Sequence, residues 1–412
     1  MVLASASSTN LRVVVTGLGT VNPLGHNCEA TWTGILNSQV NAKAVSRFDA
    51  SSFQPNFAFC VDDHYKSKFS ALLNANHLLQ REAEFGLIAA VECLQIAKLD
   101  PVTLDAIVLG CGKSSDDFEW FLRAVAGNDE GDVKGFLKHP SETAHRIAQH
   151  FKTSAHQRTI HTACASSAQA IGEAYDLIAT GQCNRVLAGG ADSMIEPIQF
   201  AKLSLLGTLS KKTNPKNAYI PFSANRDGFI LGEGASILLL ESEASALNRG
   251  AEIIAELKGY GITQSAQRIT DLDEKGSGPR NAILASAANA QVDLKKIDYI
   301  NAHGTGTVQN DAIEAAIFSD FCPQAFVSST KSLTGHLIAG AGAMEALICV
   351  LAIKYQTLPP SVKGLVHDPS FEVRLTPTEK TACTIDHALS NSIGFGGTNV
   401  SLIFARCGTH GM

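Results

Sequence analysis

The sequence predicts an α/β protein built in layers from two similar halves, and two observations carry that prediction. Runs of aliphatic and β-branched residues bounded by glycine recur along the chain, with helical periodicity between several of them. The order of segments then repeats. "DAIVLGCG" ahead of the segment around Cys164 parallels "IDYINAHGTG" ahead of the segment around His336, and each leads to a strand, a small-residue elbow and an apolar helix.

The strands read in order are "RVVVTGLG" (12–19), "AIVLGCG" (106–112), "RVLAGGAD" (185–192), "ASILLLE" (235–241), "IDYINAHG" (297–304), "FVSSTKS" (326–332) and "VSLIFA" (400–405). Their apolar runs are nearly continuous, which implies sheets covered on both faces. Ala168, Ile171, Ala174, Tyr175 and Ile178 fall at helical spacing after the Cys164 elbow. The apolar stretch from about Ala343 to Ile353 carries Glu345, is too short to cross a bilayer and reads as a buried helix. The halves are expected to join near residue 255, giving 1–255 with Cys164 and 256–412 with His303 and His336, and a site where they meet.

Composition narrows the function classes. Apolar residues at 45% and charged residues at 17% of a 412-residue chain describe a compact globular protein. A net charge of −6 argues against nucleic acid as the main partner, because phosphate binding needs a basic excess. The start "MVLASASSTNLRVVVTG" has no basic segment followed by a long apolar core, so no signal peptide, no membrane association and a cytoplasmic location are expected. Ten cysteines occur singly without CxxC, and thirteen histidines occur without HxxxH or HExxH, so neither disulfides nor a metal is expected. The glycines of "GLGTVNPLG" do not make GxGxxG, and no GxxxxGK[ST] occurs, so nucleotide cofactors are not expected either.

One cysteine stands apart. Within "TIHTACASSAQAIGEA" (159–174), Cys164 sits between a strand and a helix, where first-turn N–H groups favour a thiolate, and its small neighbours leave room for a substrate. A lone cysteine after a strand is ordinarily core filler. Two histidines in matching contexts change that reading: His303 in "NAHGTGT" and His336 in "STKSLTGHLIAGAGAMEA" both follow strands and precede turn-forming residues. Lys331 adds a cation at the same strand end, and Glu314 is a carboxylate available to neutralise it, whether as a structural pair or as part of the site. The loop "NSIGFGGTN" (391–399) has three glycines around Phe395, which suit positive φ, backbone donors aimed at an oxyanion and a gating Phe395, or simply a tight turn.

These motifs together, with "RDGFILGEGA" (226–235), resemble the elongating β-ketoacyl-acyl carrier protein synthases from about residue 11 to the C-terminus. The resemblance implies a thiolase-like five-layer αβαβα sandwich and a dimer formed across the nucleophile strand. It implies transfer of an acyl chain to Cys164 and decarboxylative Claisen condensation with malonyl-carrier protein, without a cofactor or metal. By motif position, His303 and His336 would stabilise the enolate, Lys331 with Glu314 would organise the histidines, and the N–H groups of Cys164 and Phe395 would form the oxyanion hole. Thr305, Thr307 and Gly396 would contact substrate. Carrier proteins of this class are acidic, so Lys66, Lys68, Lys202, Lys211 and Lys212 are candidates for docking.

The chain departs from the family at "KSSDDFEW" (113–120), where more glycine and aliphatic residues are usual, and at "QSAQRITDLDEKGSG" (264–278), which is acidic and lacks the usual proline. Both departures point from ordinary saturated chains toward polyketide or polyene assembly. The alternatives are the active subunit of a heterodimer with a chain-length-factor-like partner, a cysteine-histidine hydrolase, and a non-catalytic scaffold for carrier protein.

Overall fold

The computed structural model describes residues 11–76, 80–112, 139–266, 268 and 272–408. The first apolar run forms strand β1 (Val13–Val21), buried at every residue. Its glycines have a packing cause. A Cβ at Gly17 would lie 2.5 Å from the Cys93 carbonyl oxygen, and one at Gly19 1.9 Å from that of Ala89. The "GLG" is therefore a notch that lets helix α1 (Arg81–Ala97) rest directly on the strand.

The first half continues through β2 (Ala106–Cys111), α2 (Glu142–Phe151), β3 (His156–Ile160), α3 (Ser166–Ala179), β4 (Arg185–Ser193) and β5 (Glu233–Ser242). The second runs through β6 (Ala255–Gln264), α4 (Ser277–Ala290), β7 (Tyr299–Asn301), α5 (Val308–Phe321), β8 (Phe326–Ser328), α6 (Ala341–Tyr355), β9 (His387–Ile393) and β10 (Thr398–Ala405). Strand orders are β1-β5-β4-β2-β3 and β6-β10-β9-β7-β8. In each, the first two pairings are antiparallel and the last two parallel. The halves thus share one topology. The notch repeats too: a Cβ at Gly259 would lie 2.6 Å from Ala290 N, and one at Gly261 2.2 Å from the Ala282 carbonyl oxygen, under α4.

Apolar cores fill the spaces between five layers. β5 alternates between two of them, sending Ile237 and Leu239 toward α1 and α2, and Leu238 and Leu240 toward the central helices α3 and α6. The third core holds Ile300, Leu389 and Ile403 against Ile283 of α4 and Ile317 of α5. The result is the thiolase-like αβαβα sandwich, with the two sheets joined edge to edge where Val13–Val15 pair with Ala255–Leu257.

Beside β3, expected only from its place ahead of Cys164, the apolar-run pattern leaves β6 and β9 unmarked. β3 is a polar edge, β6 mixes glycine with half-buried polar residues, and β9 buries Ser390, Asn391 and Ser392. The apolar stretch around Glu345 also proves longer than its sequence suggests. With its leading turn it spans Ile338–Tyr355, long and apolar enough to cross a membrane by length and composition, but 89% of that window is buried inside the protein.

The central helices begin alike. Single 3-10 turns, Ala163–Ala165 and Ile338–Gly340, lead into α3 and α6, and the first residue of each is left-handed, with φ of 49° at Ala163 and 45° at Ile338. The helices then pack closely, since a Cβ at Gly342 would sit 2.7 Å from the Ala168 Cβ and 2.8 Å from its backbone nitrogen. Gly342→Val should overpack this contact and cost about 1–3 kcal/mol. An unchanged urea midpoint would contradict the close approach.

Candidate active site

The two turns meet at a cavity of about 230 Å3 lined by Cys164, His303, Thr305, Thr307, His336 and Phe395, among others. Cys164 lies in the 3-10 turn just ahead of α3 and is 3% exposed. Burial pushes its thiol up to about 12, against the pull of the Lys331 cation and the Phe395 N–H directed at the sulfur. Desolvation is the largest of these influences, and it opposes the thiolate expected from the first-turn N–H groups.

The histidines stand edge to face, with ring centroids 5.5 Å apart, and Phe229 packs edge-on against His336 at 5.1 Å. Each Nδ1 accepts a hydrogen bond. Lys331 Nζ lies 3.4 Å from Nδ1 of His303, and the Ile338 N–H donates to Nδ1 of His336 at 3.2 Å. Both rings therefore carry the proton on Nε2 when neutral. Burial, and then the Lys331 charge, hold both histidines well below their usual range, so they are neutral donors at neutral pH.

The partner of Lys331 differs from the one anticipated. Its ammonium forms a buried ion pair with Glu345 and donates to the His303 carbonyl oxygen at 2.6 Å. Glu314 instead collects the N–H groups of His303 (2.9 Å) and Gly304 (2.6 Å) and the side-chain amides of Asn310 (2.9 Å) and Asn391 (2.8 Å). Those four donors satisfy a carboxylate that burial pushes upward. Glu314 thus holds the His303 turn, while Glu345 balances the cation. The signal for Glu345 was present as the one acid in an otherwise apolar buried run, Ala341–Ile353.

Gly396 and Gly397, which follow Phe395, take φ of 88° and 90°. Gly394 and Gly397 line the cavity, but Gly396 does not; it is exposed and its carbonyl accepts from the Gln264 amide. Its expected substrate contact is corrected accordingly, because the left-handed turn carries it outward. Thr305 and Thr307 hydroxyls lie 2.9 Å apart on the wall. Gln309, Asn310 and Leu272 join them in the lining, unmarked in the sequence, and Gln309 ties the 272 backbone to α5 through a 2.9 Å bond to the Leu272 carbonyl.

Lys66, Lys68, Lys202 and Lys211 are exposed, whereas Lys212 is half-buried and donates to the Asn225 carbonyl near Asp227. Lys212 is the weakest docking candidate of the five. The segment 113–120 lies outside the described residues, as does part of 264–278. Among the described residues, no group of three or more His, Cys, Asp or Glu is placed to hold a metal ion.

Residues 10–246 match the family described as Beta-ketoacyl synthase, N-terminal domain, and residues 254–364 match Beta-ketoacyl synthase, C-terminal domain. The chain is 32% identical to 3-oxoacyl-[acyl-carrier-protein] synthase 2 of Staphylococcus aureus (strain MRSA252), over 97% of this chain and 99% of that one. It is 34% identical to the enzyme of the same name from Synechocystis sp., over 96% and 98%. Among solved structures it resembles the ishigamide ketosynthase/chain length factor, with TM-score 0.88, 29% identity and coverage of 97% and 100%. A type II polyketide synthase ketosynthase in complex with its acyl-carrier protein, bound to the hexaketide, gives TM-score 0.86, 29% identity and the same coverage.

The buried thiol yields a direct test. Alkylation of Cys164 by iodoacetamide should rise about tenfold per pH unit from pH 7 to 9 without a plateau, because a thiol raised by desolvation is far from half-ionised there. Lys331→Met should slow it further by removing the cation that favours the thiolate. A plateau below pH 8 would show that burial does not dominate.

Proposed function

The chain belongs to the β-ketoacyl synthase family and is a β-ketoacyl-acyl carrier protein synthase, and we propose that Cys164 takes the acyl chain while His303 and His336 drive condensation with malonyl-carrier protein. The observation that carries this assignment is the pair of accepting Nδ1 atoms, which leaves two neutral Nε2–H donors beside one thiol. In the first step the sulfur attacks the acyl-carrier thioester. The S–C bond to Cys164 forms, the bond to the carrier sulfur breaks, and the thiol proton leaves with the carrier thiol. The Cys164 and Phe395 N–H groups hold the oxygen of the tetrahedral intermediate.

Malonyl-carrier protein then binds with its thioester oxygen toward the histidines. Loss of CO2 leaves the bonding electrons on an enolate, whose oxygen the two Nε2–H groups stabilise. The enolate carbon attacks the acyl thioester, and the S–C bond breaks to release the β-ketoacyl chain on its carrier and a Cys164 thiolate, which takes one proton from water to return to the thiol. All electrons come from the bond broken on decarboxylation, so the sequence of steps needs no redox cofactor. Lys331 holds Nδ1 of His303, and Glu314 holds its backbone, so both act by positioning.

The histidine geometry argues against a hydrolase. A general-base histidine has an Nδ1–H that donates to an orienting acid, whereas both rings here accept at Nδ1. The partners in this reading are acyl- and malonyl-loaded carrier protein, with Lys66, Lys68, Lys202 and Lys211 as docking cations, and a second copy of this chain. The outer edge of β3 ends its sheet with His156, Gln157 and Arg158 exposed, which suits pairing across a dimer. A heterodimer with a chain-length-factor-like subunit is not favoured. This reading places the enzyme in the cytoplasm, acting on fatty-acyl, polyketide or polyene chains.

Intact-mass measurement after incubation with a panel of acyl-carrier thioesters should show one acyl group on the wild type and none on Cys164→Ala. His303→Ala and His336→Ala should still acylate but condense about 10²–10⁴-fold more slowly. Acylation of Cys164→Ala, or full condensation by both histidine variants, would refute the assignment.

A further inference from the structure

We propose that Asp192 is a positioning residue for His336, acting across the boundary between the halves. The inference rests on the role given above to His336. Asp192 lies near the end of β4 and is 2% exposed. One carboxylate oxygen accepts the Ser193 N–H at 2.8 Å and the other the Ala339 N–H at 2.9 Å. Ala339 follows Ile338, the residue held at φ 45° whose own N–H fixes Nδ1 of His336. A β-branched residue resists that conformation, so the turn needs an external restraint. Asp192 supplies it one peptide on.

The rest of the His336 backbone is held by the same half. Its N–H donates to the Ile230 carbonyl and its own carbonyl accepts from Gly232, both at 2.9 Å. The space around the carboxylate is tight. A Cβ at Gly112 would lie 2.4 Å from either Asp192 oxygen, so the carboxyl fills the space beside that glycine. Without the carboxylate, the Ala339 N–H loses its acceptor, Ile338 relaxes toward negative φ, and its N–H swings away from the ring. His336 then no longer has a fixed tautomer. Acyl transfer to Cys164 uses neither group, so the defect belongs to the malonyl half of the reaction.

Among the described residues, the charged and titratable groups around His336 are Lys331 from its short helix, His303 beyond β7, Cys164 ahead of α3, Glu345 on α6 through Lys331, and Asp192 itself, whose carboxyl burial pushes well upward with Glu82 and Glu196 adding to it. Burial and Lys331 keep His336 neutral. A loosened ring is better hydrated and takes up a proton at higher pH, so the acid limb of condensation should move upward.

The test compares Asp192→Asn, Asp192→Ala and His336→Ala in single-turnover acylation and in steady-state condensation across pH. Expected for the Asp192 variants are acylation within about threefold of wild type and condensation kcat lower by about 10–100-fold, with KM for malonyl-carrier protein within about twofold. Asp192→Asn, of the same size and keeping one acceptor, should retain more activity than Asp192→Ala, and both should shift the acid limb upward. Equal loss in both half-reactions with an unmoved acid limb, or an Asp192→Asn enzyme that condenses like wild type beside a crippled His336→Ala, would overturn the inference. Normal condensation by His336→Ala would instead overturn the role of His336 on which it rests.

Discussion

The contact on which the site depends is the packing of α3 against α6 at the centre of the sandwich. A glycine at 342 brings the helix axes close at their N-terminal ends, and Ser167 in the first turn of α3 accepts the Ala343 N–H of α6 at 2.9 Å. Each helix is entered through a left-handed turn, so close packing of the helices forces the two turns together. Cys164 and His336 therefore meet because two buried helices share one interface. Buried polar groups must find partners, and here the partners come from the opposite half. That requirement makes the interface specific as well as tight.

A single buried cation organises the electrostatics around this meeting point. Lys331 is neutralised by Glu345, donates to the His303 backbone and lies against its ring. Its charge favours the Cys164 thiolate and disfavours protonated histidine at both rings, so one side chain biases three groups in the directions that the chemistry needs. Desolvation works with it at the histidines and against it at the sulfur.

The sequence showed the layered class and the repeated half, and it singled out a cysteine and two histidines that the structure brings to one cavity, because each depends on local pattern: apolar runs, an elbow of small residues, a histidine after a strand. It did not reveal β6 or β9, whose buried residues are glycine, serine and asparagine and carry no apolar signature. Nor did spacing decide the partner of Lys331. Glu314 and Glu345 are both acids close to it along the chain, and only the direction in which α5 and α6 run separates the one that holds a turn from the one that balances the charge. The glycines of β1 do not have the spacing of a nucleotide loop, and their cause lies in a helix some seventy residues away in sequence.

The matched turns also show how one scaffold supports different chemistry. His161 stands two residues before left-handed Ala163, just as His336 stands two residues before left-handed Ile338. His336 is buried and accepts the following N–H at Nδ1, whereas His161 is exposed and its Nδ1 lies 2.9 Å from the Cys111 carbonyl oxygen. A carbonyl can only accept, so His161 carries its proton on Nδ1 when neutral, the opposite tautomer from His336. The backbone device is common to both halves, and the atom across from Nδ1 decides which nitrogen each ring presents. In the second half that atom is a donor, and the result is a ring that presents its N–H at Nε2.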